Sequence, residues 1–244
     1  MECMSNPHGE AAEAQAPSQL AQYANYSVFR RLPGTAAPAD LDAAVAQLEA
    51  VTAKLEPSGV TLRGIYDLNG FRHDGDILVW THGADVEAIQ TAIRNIRSTT
   101  LFESLELVWQ VTGVHADAEF NPRHAPAYML GHEPKKWITI YPFVRSFEWY
   151  LLPEEERSVM LRDHGMRGAA FKSVLANTIA AFGISDYEWM LSFEDDDLIN
   201  ILDMMRDLRY TEARRHVREE LPFYTGRRIP EAEVPVALRY VPVD

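Results

Sequence analysis

Residues 137–168 contain four side chains whose types together suit redox chemistry. They are an oxidisable phenol, a permanent cation, an indole and an imidazole that can ligate a metal ion, namely Tyr141, Arg145, Trp149 and His164. A redox cofactor with an anionic group could use all four. Taken singly, tyrosine and tryptophan are more often packing or interface residues, and charged side chains more often lie at the surface, so the types alone leave both interpretations open.

His164 lies at the end of a predicted helix. A proline and three glutamates open this segment, and Gly165 is a residue type that commonly ends a helix. The pattern predicts a helix over residues 153–164, with Met160 and Leu161 on the same face as the imidazole. The ring should therefore point inwards, where it could ligate a cofactor or bind the free carbonyls of the helix end.

A strand should position Tyr141. The apolar residues 137–141 predict a strand that ends at Tyr141, because the following Pro142 cannot continue a hydrogen-bonded ladder. If the backbone stays extended beyond the proline, Tyr141, Phe143 and Arg145 share one face.

The segment that follows the first half of the chain, residues 115–136, has the prolines of a linker and contains His124. A neutral imidazole there could accept a proton near neutral pH, and the alternative is an exposed loop histidine. The other histidines have no HxxxH or HxH spacing, which argues against a zinc site. The sequence also has no glycine-rich phosphate loop, so nucleotide cofactors have little support.

The charge of the protein limits the partners it can attract. Its net charge is −13, from 23 lysines and arginines against 36 aspartates and glutamates. This charge opposes non-specific binding to nucleic acid or to an anionic membrane surface. An anionic ligand therefore needs a local basic pocket, for which the candidates are Arg123, Lys135, Lys136, Arg145, Arg209, Arg214 and Arg215.

We expect a cytoplasmic protein that does not enter membranes. The single cysteine, Cys3, allows no disulfide framework. No apolar run approaches the roughly 20 residues of a membrane helix. Residues 1–17 carry acids where a signal peptide would be apolar.

Two similar sets of elements fill the chain. In the first, strands are predicted over residues 26–32, 60–68, 77–81 and 105–114, and helices over residues 39–55 and 84–96. Later, residues 188–193 (EWMLSF) parallel residues 77–82 (ILVWTH), and each leads into an acidic helix start. We interpret this as a diverged duplication of a β-α-β-β-α-β unit, and the alternative is chance similarity between two strand–helix pairs. The duplication predicts an α+β fold with antiparallel sheets.

These patterns divide the 244 residues into four segments. We expect a disordered tail, an N-terminal unit, a linker and a C-terminal unit with the redox cluster, over residues 1–22, 23–115, 116–136 and 137–244.

Several motifs occur in a specific order, namely YPF followed by a basic residue and WY, then LPxEER, HGMxG, GxxDYEW, LRYTEA and LPFYTGR. Over residues 23–239 the sequence closely resembles the coproheme decarboxylases of the chlorite-dismutase superfamily, especially their actinobacterial branch. The resemblance implies two tandem ferredoxin-like domains with antiparallel sheets, a chlorite-dismutase-like dimeric α+β barrel. It also implies assembly into a homopentamer.

The resemblance assigns roles to residues of this chain. His164 matches the proximal iron ligand and Tyr141 the redox-active tyrosine. His124 matches a distal histidine, and Trp149 matches a tryptophan beside the reacting propionates. The cofactor-binding candidates are Arg145, Arg209, Asn177 and Ala213. A ligating histidine also needs a hydrogen-bond acceptor on its other ring nitrogen, for which the sequence offers Glu188 and Glu194.

The implied reaction is the decarboxylation of iron-coproporphyrin III (coproheme) by hydrogen peroxide, which yields haem b through a three-propionate intermediate. The porphyrin is both substrate and redox cofactor. His124 would accept a proton from peroxide at the iron, and a radical on Tyr141 would abstract hydrogen from the propionate β-carbon. A transient contact with coproporphyrin ferrochelatase is a further expectation.

Other functions on the same fold are disfavoured by particular residues. Asn177 aligns near the distal arginine of chlorite dismutases, which argues against chlorite chemistry, and the distal Asp/Arg pair of dye-decolourising peroxidases is not evident. A non-catalytic haem carrier or sensor would keep His164 but would not need Tyr141. An interaction module without a cofactor is the third alternative.

Overall fold

The computed structural model describes residues 22–115 and 125–241, which contain two units that share the element order β-α-β-β-α-β, with one short strand and one short helix added in the second. The first unit comprises β1 (Gln22–Arg31), α1 (Leu41–Thr52), β2 (Val60–Asp67), β3 (Ile77–Gly83), α2 (Val86–Arg97) and β4 (Leu105–His115). The second comprises β5 (Trp137–Arg145), α3 (Glu154–Gly168), β6 (Leu175–Ala180), β7 (Trp189–Asp195), α4 (Leu198–Leu208), β8 (Val217–Glu219), β9 (Tyr224–Ile229) and α5 (Val234–Ala237).

The nine strands form one antiparallel sheet that closes on itself. Their order is β7-β6-β4-β1-β3-β2-β9-β5-β8, and β5 also pairs with β7, so eight strands close a barrel and β8 extends β5. Within the first unit the spatial order is β4-β1-β3-β2, and the equivalent strands of the second unit lie in the matching order β9-β5-β7-β6. The predicted α+β fold of two ferredoxin-like units is confirmed.

The sheet has two faces with separate cores. Aromatic and aliphatic side chains such as Tyr26, Trp80 and Ile140 fill the barrel interior. On the outside, α1 and α2 cover the first unit. A smaller cluster that includes Tyr141 and Phe193 packs against α4. Because successive strand residues alternate between faces, Tyr141 lies on the helix side of the sheet rather than inside the barrel.

The helix starts that the sequence marks as acidic are N-caps. Asp85 accepts a hydrogen bond from the backbone N–H of Glu87, and Asp197 does the same for Ile199. These caps satisfy free N–H groups at equivalent positions of the two units.

Strand β5 is longer than predicted. It continues through Pro142, which lies opposite Met190, and ends at Arg145. The prediction of a strand end at Tyr141 is wrong, because β9 pairs with β5 only as far as Ile140 and the pairing with β8 begins at Val144. The proline lies between these two partners, where its missing N–H breaks no ladder with either of them.

Helix α3 is also longer than predicted. It runs to Gly168, so Gly165 does not end it and His164 lies one turn before its end. A glycine inside a helix costs only about 1 kcal/mol relative to alanine, which tertiary contacts can offset.

Residues 1–21 and 116–124 lie outside the described part, so the predicted tail and most of the predicted linker stay predictions. The described end of the linker contains a short helical turn, Ala127–Leu130, whose Tyr128 packs into the barrel core. Within residues 22–115 and 125–241 no helix is long and apolar enough to cross a membrane.

A buried ion pair joins the two units. Arg63 of β2 and Glu194 of β7 lie 3.0 Å apart, with side chains 6% and 0% exposed. A β-bulge between Leu62 and Gly64 accommodates Arg63 as an extra residue. The carboxylate of Glu194 also accepts hydrogen bonds from Asn177 Nδ2 at 3.2 Å and from the backbone N–H of Lys135 at 3.3 Å. The pair therefore ties both units and the linker together.

We predict that Arg63→Met lowers the free energy of unfolding by about 3–5 kcal/mol, because it leaves the buried Glu194 carboxylate without its cation. Arg30→Met is the control. It breaks the ion pair with Glu106, whose two side chains are 37% and 44% exposed, and should cost at most about 1 kcal/mol. Urea denaturation measures both, and equal losses in the two variants would contradict the central role of the buried pair.

Candidate functional site

Tyr141 of β5 packs in a cluster between the outer face of the sheet and helix α4. Its side chain is 5% exposed. Its ring stacks on Phe223 with centroids 4.6 Å apart, and its hydroxyl donates to Met205 Sδ at 3.6 Å. Burial raises the pKa of Tyr141 well above its usual range, and the charge of Glu220 raises it further. The phenol therefore carries its hydrogen at neutral pH.

Arg145 lies on the same face of β5 and is held by aromatic rings. Its guanidinium carbon lies 4.1 Å from the ring centroid of Trp149 and 4.8 Å from that of Phe143. Trp149 itself is 1% exposed and begins a helical turn, Trp149–Leu151, just after the strand. These cation–π contacts fix the plane of a side chain that can bind a carboxylate with two hydrogen bonds.

The ring of Trp149 packs against the ring of His216. The two ring centroids are 5.3 Å apart, and His216 Nδ1 lies 3.0 Å from Ser146 Oγ. The backbone N–H of Ser146 also donates to the carbonyl of His216 at 3.0 Å. The turn that carries Trp149 is thus tied to the segment before β8.

His164 has the geometry of a neutral ligand. Its Nδ1 lies 3.2 Å from Thr211 Oγ1, and that hydroxyl donates its own hydrogen to the carbonyl of Leu208 at 3.0 Å. Because the hydroxyl hydrogen is already used, Thr211 accepts from the Nδ1–H of the ring. This assigns the proton to Nδ1 and leaves Nε2 with a free lone pair, the form that binds a metal ion.

The surroundings of His164 also keep it unprotonated. Burial lowers its pKa, and the positive charges of Arg145 and Arg209 lower it further, while Asp163 opposes them. A neutral imidazole beside two cations is suited to ligation and poorly suited to carrying a proton.

The hydrogen-bond acceptor of His164 is Thr211 rather than either glutamate that the sequence offered. Glu188 accepts from the backbone N–H of Arg145 at 2.8 Å and from the hydroxyl of Tyr150 at 3.0 Å. Glu194 lies in the barrel interior with Arg63.

Two further arginines complete a basic region. Arg209 caps the end of α4, and Arg214 lies in the short helix Glu212–His216, next to the buried Ala213. Both contact the carboxylate of Glu220, at 3.2 and 2.5 Å. Together with Arg145 they lower the pKa of Tyr141, against the effect of burial. Sequence reasoning named Arg214 only among seven basic residues and missed Thr211 and Glu220.

The structure does not bring Asn177 into this cluster. Asn177 is 1% exposed and faces the barrel interior, where it accepts from the backbone N–H of Tyr128 at 3.0 Å. Its neighbour Thr178 is exposed and pairs with Leu191, which pairs with Tyr141. Strand alternation therefore places Thr178, not Asn177, on the face of the sheet that carries Tyr141.

Helix α3 carries His164 on a face with two apolar side chains. None of its fifteen residues, all of them described, is buried. Met160 and Leu161, four and three residues before His164, share its face of the helix and are half-buried. A helix face with apolar side chains, one imidazole with a free Nε2 and nearby arginines suits a metalloporphyrin with carboxylate side chains. Within residues 22–115 and 125–241 no three His, Cys, Asp or Glu side chains gather as a metal site.

The structure thus brings together Tyr141, Arg145, Trp149, His164 and Arg209 from the residues that the sequence singled out. His124 lies outside the described residues.

Comparison with known proteins finds relatives over most of the chain. The model of the chlorite dismutase family matches residues 41–229. The chain is 47% identical over 209 residues to the coproheme decarboxylase of Mycolicibacterium smegmatis, which covers 85% of this chain and 90% of that protein. Among solved structures, a variant of the chlorite dismutase of Candidatus Nitrospira defluvii has a TM-score of 0.77 at 18% identity, covering 91% of this chain and 96% of that one. The same enzyme with imidazole has a TM-score of 0.75 at 18% identity, covering 89% and 94%.

We predict that His164 in the porphyrin-free protein titrates below pH 6.5, the ordinary value for histidine, because burial and Arg145 disfavour the imidazolium. Arg145→Gln should raise its pKa, since one source of repulsion is removed. Proton NMR of the histidine ring signals measures this, with His164→Gln for assignment. Arg215→Gln is the control, because Arg215 lies in an exposed ion pair with Glu212. An unchanged His164 pKa in Arg145→Gln would contradict the electrostatic account.

Proposed function

The chain belongs to the chlorite dismutase family, and we propose that it is a coproheme decarboxylase, which converts coproheme into haem b with hydrogen peroxide. The observation that carries the proposal is a buried, protonated phenol in the same cluster as a neutral histidine with a free Nε2 and three arginines. The identity of 47% to a coproheme decarboxylase over 85% of the chain supports the same substrate.

Substrate binding would use groups of different chemistry on different parts of the porphyrin. Nε2 of His164 would hold the iron, with Thr211 fixing the ring. Arg145 would bind a propionate bidentately, because its plane is already set by Trp149 and Phe143. Arg209 and Arg214 would bind a second carboxylate, and the buried Ala213 precedes Arg214 in the short helix that holds it.

Hydrogen peroxide would supply the oxidising equivalents, and the iron of the substrate would transmit them. For each propionate, one peroxide is reduced to two waters, while the side chain loses carbon dioxide and two hydrogens and becomes a vinyl group. Tyr141 would give up its hydroxyl hydrogen as a hydrogen atom and regain one from the β-carbon of the propionate. Because the pKa of Tyr141 is raised, the hydroxyl would carry this hydrogen at the start of each catalytic cycle.

The role of His124 remains a proposal that rests on the family resemblance. It would accept a proton from peroxide at the iron, as a neutral imidazole does near pH 7. Asn177, in contrast, would support the site only indirectly, because it holds the backbone of Tyr128 at the end of the linker.

A haem carrier or sensor is less well supported than an enzyme. Such a protein would need His164 and the arginines, but not a buried phenol within the charge field of three arginines. We also propose the homopentamer, the cytoplasmic location and a transient contact with coproporphyrin ferrochelatase, all on the family resemblance alone. We also propose the division of the chain into four segments on the family resemblance, and the order of the helices and strands supports it.

The decisive experiment is mass spectrometry of the porphyrin before and after peroxide. We predict two successive losses, each of one carbon dioxide and two hydrogens, from coproheme bound to the purified protein. Tyr141→Phe should bind coproheme but not convert it, because phenylalanine has no hydroxyl hydrogen to give. The control is Tyr210→Phe, whose ring is 76% exposed. An unchanged porphyrin mass in the wild type would refute the proposed function, and full turnover by Tyr141→Phe would remove the radical role.

A second experiment addresses His124. His124→Ala should slow the reaction of the coproheme complex with peroxide at neutral pH by on the order of 100-fold, because a proton acceptor is lost. Stopped-flow absorbance measures this rate. His132→Ala is the matched control in the same segment, since its structural contact is made by the backbone carbonyl that accepts from Arg63. Equal rates in both variants would discard the proton-acceptor role.

A further inference from the structure

Glu220 forms ion pairs with Arg209 and Arg214 at the edge of the site. It follows β8, and one of its oxygens, Oε2, lies 3.2 Å from Arg209 Nη2 and 2.5 Å from Arg214 Nη1. Its side chain is 15% exposed, whereas the two arginine side chains are 37% and 39% exposed. The carboxylate thus lies deeper than the cations that it neutralises.

The position of Glu220 follows from the sheet. Strand β8 pairs with the end of β5, where Val144 lies opposite Glu219. The chain then runs alongside β5 until Phe223 stacks on Tyr141. Glu220 lies between these two contacts, and its negative charge adds to burial in raising the pKa of Tyr141.

The arginines keep binding capacity that Glu220 does not use. Nη1 of Arg214 is buried and makes no properly directed hydrogen bond, even though it is close to the carboxylate oxygen. A guanidinium offers five N–H donors, and one carboxylate oxygen shared by two arginines cannot satisfy them. A second carboxylate could bind with better geometry.

Glu220 carries the same functional group as the side chains of the proposed substrate. Without a ligand it neutralises two adjacent cations that would otherwise repel each other. A propionate that approaches the same arginines meets a like charge and competes for the same donors.

We propose that Glu220 is a resident counter-ion of Arg209 and Arg214, which a porphyrin carboxylate must displace, and that it thereby lowers the affinity for carboxylate-bearing porphyrins. This inference rests on the proposed function, because it takes the substrate to be a porphyrin carboxylate. Glu220 is a specificity-determining residue in this scheme. A porphyrin carboxylate binds only if its interaction with the two arginines outweighs that of Glu220. Glu220 favours release of the porphyrin because it returns to the arginines.

The test uses metal-free coproporphyrin III, which has four carboxylates but neither ligates His164 nor reacts with peroxide. Fluorescence titration of the full-length protein measures its affinity. We expect Glu220→Gln to bind it more tightly, by on the order of tenfold, because a like charge is removed while the shape is kept. Glu219→Gln is the matched control. It removes one negative charge from the neighbouring position, where the side chain is exposed, and should leave the affinity nearly unchanged.

A coupled variant separates this role from a purely structural one. In an Arg209→Gln/Arg214→Gln background, Glu220→Gln should give little or no gain, because the competition for the two arginines no longer exists. An undiminished gain in that background would overturn the inference, as would weaker or unchanged binding by Glu220→Gln alone. If the wild type fails to bind metal-free coproporphyrin at all, this inference fails, whereas the proposed function is decided separately by the mass of bound coproheme after peroxide. If it binds but Glu220→Gln behaves like Glu219→Gln, only this inference fails.

Discussion

The ion pair between Arg63 and Glu194 is the contact on which the rest of the structure depends. It lies inside a barrel built from two units, and a buried charge without its partner is costly, so the two units must meet in one register. Glu194 also fixes the backbone of Lys135, just before β5 begins. Closure of the barrel therefore sets where β5 starts and which of its residues face outwards. Tyr141 and Arg145 take their places from that geometry.

The site follows from one strand face and the elements that cover it. Helix α4 packs on the outer face of the sheet through Ile201, Met204 and Leu208, and Arg209 lies at the C-terminal end of this helix. Helix α3 contributes His164 while burying none of its residues. A protein with a net charge of −13 thus concentrates positive charge in one place. Burial and that charge disfavour a protonated imidazole at His164, and burial of Tyr141 favours a protonated phenol, so both groups are in the state that the proposed function requires.

The same electrostatics links affinity and chemistry. Three arginines favour carboxylates, and Glu220 limits how strongly two of them can do so. The rings of Phe143 and Trp149 pack against the guanidinium of Arg145, and these contacts would help to orient a propionate bound by that arginine. Thr211 is a neutral acceptor, so His164 would remain an imidazole rather than gain the anionic character that a carboxylate acceptor confers.

The sequence by itself determined the order of elements, the duplication of the unit, the family, and the shared face of Tyr141 and Arg145. All of these depend on local periodicity, turn residues and short motifs, which act within a segment. Tertiary structure decided the rest. Pro142 and Gly165 do not end their elements, because neighbouring strands and helices offset their local cost. Asn177 faces the barrel because strand alternation and closure place it there. Thr211 meets His164 only because the folded second unit brings together residues 47 positions apart in the chain. Glu220 meets Arg209 and Arg214 because the chain after β8 returns to the end of α4. No pattern along the sequence encodes such contacts, since each depends on the directions of two elements at once.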